Sequence, residues 1–348
     1  MNERDRRVRR AAPPRVRLVD VAREAGLSKT TVSAALNGTG RLSAEVRAHA
    51  RETARRMGYR PNATARLLRA GHARLIGFTA REYVEAPWSY LESPYLSELT
   101  HTTAQLALEH GYAMVLLPNC SPRDEWTDLP VDAVILADPE ADDPLVDDFL
   151  AAGIPVFTDQ RVEGRQGGYW VDTDYDAAMR SVLDHLAGQG ARDIVLLTPQ
   201  NDSRWAQRSL DSYLAWCGER GLDPRTVATE RPGNAAVLKA ADEVLGEGPA
   251  PDALFALAEV SPPLMIDAAR KHGLSVPDDI LLVCCSEDPV AAHCAPPVTT
   301  LSMQPSVIAA AGMELLLDAL ESGNVEPAGR VVPTRLDVRA SSLRKPRE

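Results

Sequence analysis

The stretch Arg17-Leu18-Val19-Asp20-Val21-Ala22-Arg23-Glu24-Ala25-Gly26-Leu27-Ser28-Lys29-Thr30-Thr31-Val32-Ser33 decides how the start of this chain folds. It reads as two short helices joined by a turn at Gly26. Ala22 and Ala25 are small enough to let the helices approach, and glycine supplies the positive φ of a tight turn. Leu27 fills the space between them, and Ser28 is suited to N-cap the second helix. That helix, about Ser28 to Leu36, buries Val32, Ala35 and Leu36 and exposes Lys29, Thr30, Thr31 and Ser33. Short or basic donor-bearing side chains at the start of an exposed helix suit the major groove of DNA.

Beyond this pair, Ser43 caps a third helix from about Ala44 to Met57. Val46, Ala50, Thr53, Ala54 and Met57 form one stripe at helical spacing, and Gly58 ends it. Residues 16–60 are therefore an all-α unit with a very small core. Residues 1–15 are rich in arginine and carry Pro13-Pro14, which points to a disordered basic tail. Pro61-Asn62 opens a segment through Ala70 that is too short to be a stable helix alone. Residues 61–71 are read as a hinge that becomes helical when bound.

The 348 residues carry a net charge of −11, which hides an asymmetry. Residues 1–70 hold 17 basic and 6 acidic side chains, against 21 and 43 in the remainder. One end faces phosphates while the body repels them. No apolar run approaches the roughly 20 residues of a membrane span, and the basic N-terminus lacks the apolar stretch of a secretory signal. The cysteines, Cys120, Cys217, Cys284, Cys285 and Cys294, are odd in number and show no disulfide framework, as expected in a reducing cytoplasm.

From Leu75 the pattern alternates between β and α. Short apolar runs mark strands at Leu75–Phe78, Ala113–Leu117, Ala133–Leu136, Pro155–Phe157, Ile194–Leu197, Leu254–Leu257 and Leu281–Cys284. Helical patterns lie at Tyr95–Gly111, Pro144–Ala152, Tyr175–Gly188, Arg208–Gly221, Asn234–Leu245, Pro262–His272 and Ser306–Glu321. This order predicts doubly wound parallel sheets; two of them, hinged, leave a ligand cleft between.

The chain resembles the LacI/GalR family of bacterial transcriptional regulators. The resemblance rests on an ordered set of motifs: Asp20-Val21-Ala22 through Thr31-Val32-Ser33, Leu36-Asn37, Gly58-Tyr59-Arg60-Pro61-Asn62, Ser93-Pro94-Tyr95, Val131-Asp132-Ala133-Val134-Ile135, and Pro296-Pro297-Val298-Thr299-Thr300 with Gln304. It implies a helix-turn-helix head and an α/β periplasmic-binding-protein-like body over residues 72–342. The body's two doubly wound parallel-sheet subdomains would be 72–172 with 303–332 and 173–302 with 333–342, before a tail at 343–348.

The resemblance also implies a homodimer that binds a palindromic operator in double-stranded DNA, most simply as a repressor. By the family's pattern, Lys29, Thr30 and Ala34 read bases, with Thr31, Ser33, Asn37 and Tyr59 beside them. In the hinge, Asn62, Ala65, Arg66 and Arg69 follow the minor groove and Leu68 is the wedge at the central base step; a packing residue or chance leucine is the competing reading of Leu68. An effector would close or twist the subdomains, part the paired hinges and release the DNA.

The body departs from the family at the cleft. Its polar anchors there, an arginine, an Asn-Asp pair and an aspartate, read here as Ser209, Ala258-Glu259 and Cys285-Ser286-Glu287. Trp88, Tyr95, Trp170 and Trp205 fall in or near loops that would line it. Two readings compete. The cleft takes a ligand larger or more aromatic than a sugar, at Tyr95, Trp170, Trp205, Ser209, Glu259 and Ser286, or regulation comes from a protein partner or protein level. A small-molecule-binding protein or an enzyme on the same body is a third class; no Walker loop, nucleophile elbow or His-Glu-x-x-His supports it. No cofactor or metal is called for, since His293-Cys294 with Cys284-Cys285 matches no common metal spacing.

Ala34 stands where many members carry an arginine. Alanine can touch a thymine methyl but cannot donate to guanine. Ala34→Arg is expected to shift the half-site preference toward guanine at one position, read by selection from a randomised duplex pool. An unchanged consensus would refute that role.

Overall fold

The computed structural model describes residues 16–59, 72–81, 93–117, 129–140, 142–164, 167–200, 203–229, 233–323 and 326–344. The basic tail, the hinge with Asn62, Ala65, Arg66, Leu68 and Arg69, and Trp88 and Cys120 lie outside these residues. The chain divides into two compact units, Met1–Ala73 and Arg74–Glu348.

In the first unit, α1 (Leu18–Glu24), α2 (Lys29–Asn37) and α3 (Ala44–Arg56) surround Val21, Ala22, Val32 and Ala54. So small a core leaves little reserve, and the helix ends carry much of the local order. The Asp20 carboxylate accepts the Arg17 N–H at 2.9 Å. Ser28 Oγ accepts the Thr31 N–H at 3.0 Å and Ser43 Oγ that of Val46 at 3.3 Å. Gly26 has φ 62°, the left-handed value the turn requires. His49 reaches the Ala25 carbonyl at 3.1 Å, fixing α3 against that turn.

The second unit holds two six-stranded sheets. The first contains β1 (Leu75–Ala80), β2 (Ala113–Leu116), β3 (Ala133–Ala137), β4 (Val156–Thr158), β5 (Tyr169–Thr173) and β11 (Ala328–Val332), in the order β11-β5-β4-β3-β1-β2. The second contains β6 (Ile194–Pro199), β7 (Arg225–Thr229), β8 (Ala253–Ala256), β9 (Leu281–Cys285), β10 (Thr299–Ser302) and β12 (Arg335–Asp337), in the order β12-β10-β9-β8-β6-β7. Helices α4 (Pro94–Glu109) and α10 (Pro305–Ser322) cover one face of the first sheet and α5 (Pro144–Ala151) the other. Helices α6 (Tyr175–Gly188) and α7 (Arg204–Arg220) cover one face of the second, with α8 (Asn234–Gly246) and α9 (Pro262–Lys271) on the other. Cover on both faces explains why the central strands are continuous apolar runs.

The doubly wound reading holds with one departure. β12 runs antiparallel to β10. The two sheets present their strand carboxyl ends to each other, as the contacts described below show. A chain leaving β11 through Pro333-Thr334 therefore enters the second sheet from that same end and must run against its strands. Five strands, β5, β7, β10, β11 and β12, are absent from the sequence reading; β5 opens on the short run Tyr169-Trp170-Val171, and the other four are mostly polar or small. β7 and β11 are largely exposed. β10 is buried although it reads Thr-Thr-Leu-Ser, because its hydroxyls are paired: Thr299 Oγ1 with the Arg339 carbonyl at 3.0 Å and Ser302 Oγ with Glu287 at 2.8 Å. Arg344, assigned to a tail by the sequence, donates its N–H to Gln189 at 3.0 Å and pairs with Asp252 at 3.5 Å.

Two glycines are required by close approach. A Cβ on Gly312 of α10 would stand 2.0 Å from Cζ of Phe157 in β4, and one on Gly329 of β11 1.9 Å from Cε2 of Trp170 in β5. Both rings are set into the sheet, so neither can yield freely. Gly312→Ala should lower the urea midpoint of the body by the equivalent of about 1–3 kcal/mol. An unchanged midpoint would show that helix and ring are not in contact.

Candidate nucleic-acid interface and ligand cleft

The start of α2 carries a cluster of hydroxyl and amine donors. Ser28 Oγ lies 2.7 Å from both Thr30 Oγ1 and Thr31 Oγ1, so the cap fixes the hydroxyls as well as the backbone. Lys29, Thr30 and Asn37 are exposed. Thr31 and Ser33, expected to be exposed, are half-buried, because one turn of α2 also packs on its neighbours. Ser33 accepts from Asn37 Nδ2 at 3.4 Å. Ala34 is half-buried against the loop at Gly40, whose Cβ position would be 3.5 Å from its methyl. Tyr59 is half-buried and packs on the core of the unit.

In the body, Tyr95, Trp205 and Glu259 lie at the carboxyl ends of the strands, where loops meet helix N-termini. Ser93 caps α4 through the Leu96 N–H at 3.2 Å, and Pro94 has no N–H to satisfy. The remaining free donor of that turn, the Tyr95 N–H, is taken by Glu259 from the loop after β8. Glu259 Oε1 accepts it at 3.1 Å and Oε2 accepts the Ser93 hydroxyl at 2.5 Å. Tyr95 Oη donates to Asp159 Oδ2 at 2.9 Å, and Asp159 Oδ1 accepts the Asp138 N–H at 2.7 Å. Asp138 has φ 49°, a conformation Asp tolerates better than most residues and one that marks local strain.

A second set of contacts runs the other way. Gln160 Nε2 donates to Asp138 at 2.7 Å, and its Oε1 accepts the Trp205 N–H at 2.9 Å. Arg204 donates to Asp172 Oδ2 at 2.9 Å and also pairs with Glu163. Glu140 and Ser203 form a backbone bridge. Tyr175 and Trp205 lie ring to ring with centroids 5.7 Å apart.

These positions correct parts of the sequence reading. Trp205 is in the first turn of α7, which begins four residues earlier than the apolar pattern suggests because Ser203 caps it. Trp170 is in β5, with Gly329 of the edge strand β11 beneath its ring and the Arg161 guanidinium 5.3 Å from it, so it packs on the sheet and not in a loop. Ser209 is fully buried and its hydroxyl has no hydrogen-bond partner among the described residues. Ser286 accepts the Asp288 N–H at 3.2 Å, while its neighbour Glu287 ties the chain crossing at Met303 N at 2.7 Å. Tyr95 and Glu259 are brought together; Trp170, Ser209 and Ser286 do not join them by any hydrogen bond described. Gln160, Asp159, Asp172 and Arg204 were missed. Their signal was positional: each sits at or just past a strand end or at a helix start.

The electrostatics are set by burial. Burial first, then the neighbouring Asp138, raise the Asp159 carboxyl from 3.8 to about 7. Burial likewise raises Glu259 from 4.5 to about 7, against its hydrogen bonds and with help from Glu287 and Asp288. Glu287 is also raised by burial. Among the described residues no group of His, Cys, Asp and Glu could hold a metal ion, and no helix is long and apolar enough to cross a membrane.

Comparison with known proteins gives the following. The model of the lacI family of bacterial regulatory proteins matches residues 17–62, and that of a periplasmic binding protein-like domain matches residues 183–342. The transcriptional regulator PtxS of Pseudomonas aeruginosa is 29% identical over 342 residues, covering 94% of this chain and 96% of that protein. The transcriptional regulator CelR of Thermobifida fusca is 25% identical over 331 residues, covering 92% and 96%. Among solved structures, the lac repressor dimer bound to operator and the anti-inducer ONPF is similar with a TM-score of 0.78 at 21% identity, covering 95% of this chain and 100% of that one. A CelR–cellobiose complex is similar with a TM-score of 0.68 at 24% identity, covering 94% and 100%.

The raised carboxyls set a sign for pH dependence. The folded body keeps protons that the unfolded chain releases, so their favourable share is complete below about pH 4 and is lost as pH rises through about 7. Glu259→Gln keeps an acceptor oxygen and cannot ionise. It should flatten the stability–pH curve and be more stable than the unmutated protein at pH 8 by about 1–3 kcal/mol. Parallel curves from pH 5 to 8 would contradict the assignment.

Proposed function

Starting from a chain that belongs to the LacI family of bacterial regulatory proteins, we propose a homodimeric, sequence-specific transcriptional repressor. It binds a palindromic operator, and its body governs that binding. The observation that carries this reading is the start of α2, where the Ser28 cap fixes an exposed Lys29 and Thr30. Lys29 and Thr30 read base edges, Ala34 offers a methyl contact, and Thr31, Ser33, Asn37 and Tyr59 hold the helix against the duplex. The hinge segment adds a minor-groove contact through Asn62, Ala65, Arg66 and Arg69, with Leu68 at the central step.

In the body, the cleft between the two sheets is the regulatory element. CelR has been solved with cellobiose and the lac repressor with an anti-inducer. Here Ser209 and Glu259 stand where the family carries an arginine and an Asn-Asp pair, so an effector of this chain differs in chemistry from a plain sugar. A molecule that alters closure of the cleft alters the spacing of the paired heads and so the occupancy of the operator. The relatives named above are transcriptional regulators, and the repressor acts by binding, without a catalytic step.

The test is equilibrium binding of the full chain to palindromic duplexes recovered by selection, against a scrambled duplex of equal length. Affinity should fall by about 10³-fold or more between 50 and 200 mM salt, as expected of six or more phosphate contacts. Lys29→Ala should cost about tenfold on the palindrome and leave binding to the scrambled duplex nearly unchanged in sequence preference. Equal affinity for both duplexes in the unmutated protein would overturn the reading.

A further inference from the structure

The two helices whose N-termini open on the cleft are α4 in the first subdomain and α7 in the second. Each begins with a serine N-cap, Ser93 or Ser203, and each has its second helical N–H, of Tyr95 or Trp205, left without a partner in its own turn. In both cases the partner comes from the opposite sheet. Glu259, after β8, takes Tyr95 N at 3.1 Å, and Gln160, after β4, takes Trp205 N at 2.9 Å. Arg204 reinforces the second contact. A cation in the first turn of a helix opposes the helix dipole, and this one is paired with Asp172 and Glu163 from the other side. Asp172 is 5% exposed and Arg204 20%, so neither is a loose surface pair.

We propose that Glu259 and Gln160 form a reciprocal clasp across the cleft, each supplying the acceptor oxygen for the other subdomain's helix N-terminus. Opening exposes two helix amides, two serine hydroxyls and Arg204 together, so the contacts break as a unit. An effector enters only by supplying acceptor oxygens in place of the Glu259 carboxyl and the Gln160 amide. The clasp deepens the regulatory role proposed for the cleft, and it is tested without DNA, so its failure leaves the operator reading standing.

The experiment is amide hydrogen exchange on the ligand-free full chain, resolved at Tyr95 and Trp205. Both amides should be slow in the unmutated protein. Glu259→Ala should speed exchange at Tyr95 and also at Trp205 by about tenfold or more, and Gln160→Ala should do the same at both. Glu259→Gln, which keeps an acceptor, should leave both slow. Core amides of Val134 and Leu254 report the fold. Should Glu259→Ala lose their protection, Gln160→Ala and Arg204→Ala carry the same two-amide readout. The clasp is overturned if each variant frees only the amide whose acceptor it removes, or if both amides already exchange freely in the unmutated protein.

Discussion

A helix N-terminus must find acceptors for its first N–H groups, and the body of this protein places two of them on one cleft. Parallel strands feeding helices put those N-termini at the carboxyl ends of the sheets. The three chain crossings, after β5, β10 and β11, then hold the two sheets with those ends opposed. What fills the exposed amides decides the state of the cleft. Here the fillers are Glu259 and Gln160, one from each side. Burial of the Glu259 carboxyl and of Asp159 follows from that closure, and so do their raised pKa values near 7. The cleft is thus polar and acidic, while the Arg204 guanidinium beside it is already paired.

The head obeys a different constraint. Its core is a handful of small residues, so order at its surface depends on caps more than on packing. Ser28 is central to this, because one oxygen holds the Thr31 backbone and two threonine hydroxyls at the start of α2. The opposite charges of head and body confine attraction for phosphate to the head.

Much of this was legible in the sequence where a residue type has one physical use. Gly26, Ser28 and Ser43 marked a turn and two caps, and the apolar runs marked the central strands. Strands β7, β11 and β12 were illegible because edge strands need no apolar run, and β10 because its Thr and Ser are buried through hydrogen bonds. The start of α7 was missed for a similar reason: its first turn, Arg204-Trp205-Ala206-Gln207, has no helical stripe, and its order comes from the Ser203 cap and from Gln160. In the cleft, the resemblance implied that the family's anchors are replaced at Ser209 and Glu259, but the contacts made there could not be read. The Glu259–Ser93 and Gln160–Trp205 pairs join residues far apart in sequence, and only the fold makes them neighbours.

Genome-wide mapping of the sites bound by the full chain in its own host tests the central claim most directly. The account predicts discrete peaks over a common palindrome near promoters, lost when Lys29 and Thr30 are both replaced by alanine. Binding spread without a shared palindrome, or peaks that persist in that variant, would contradict it.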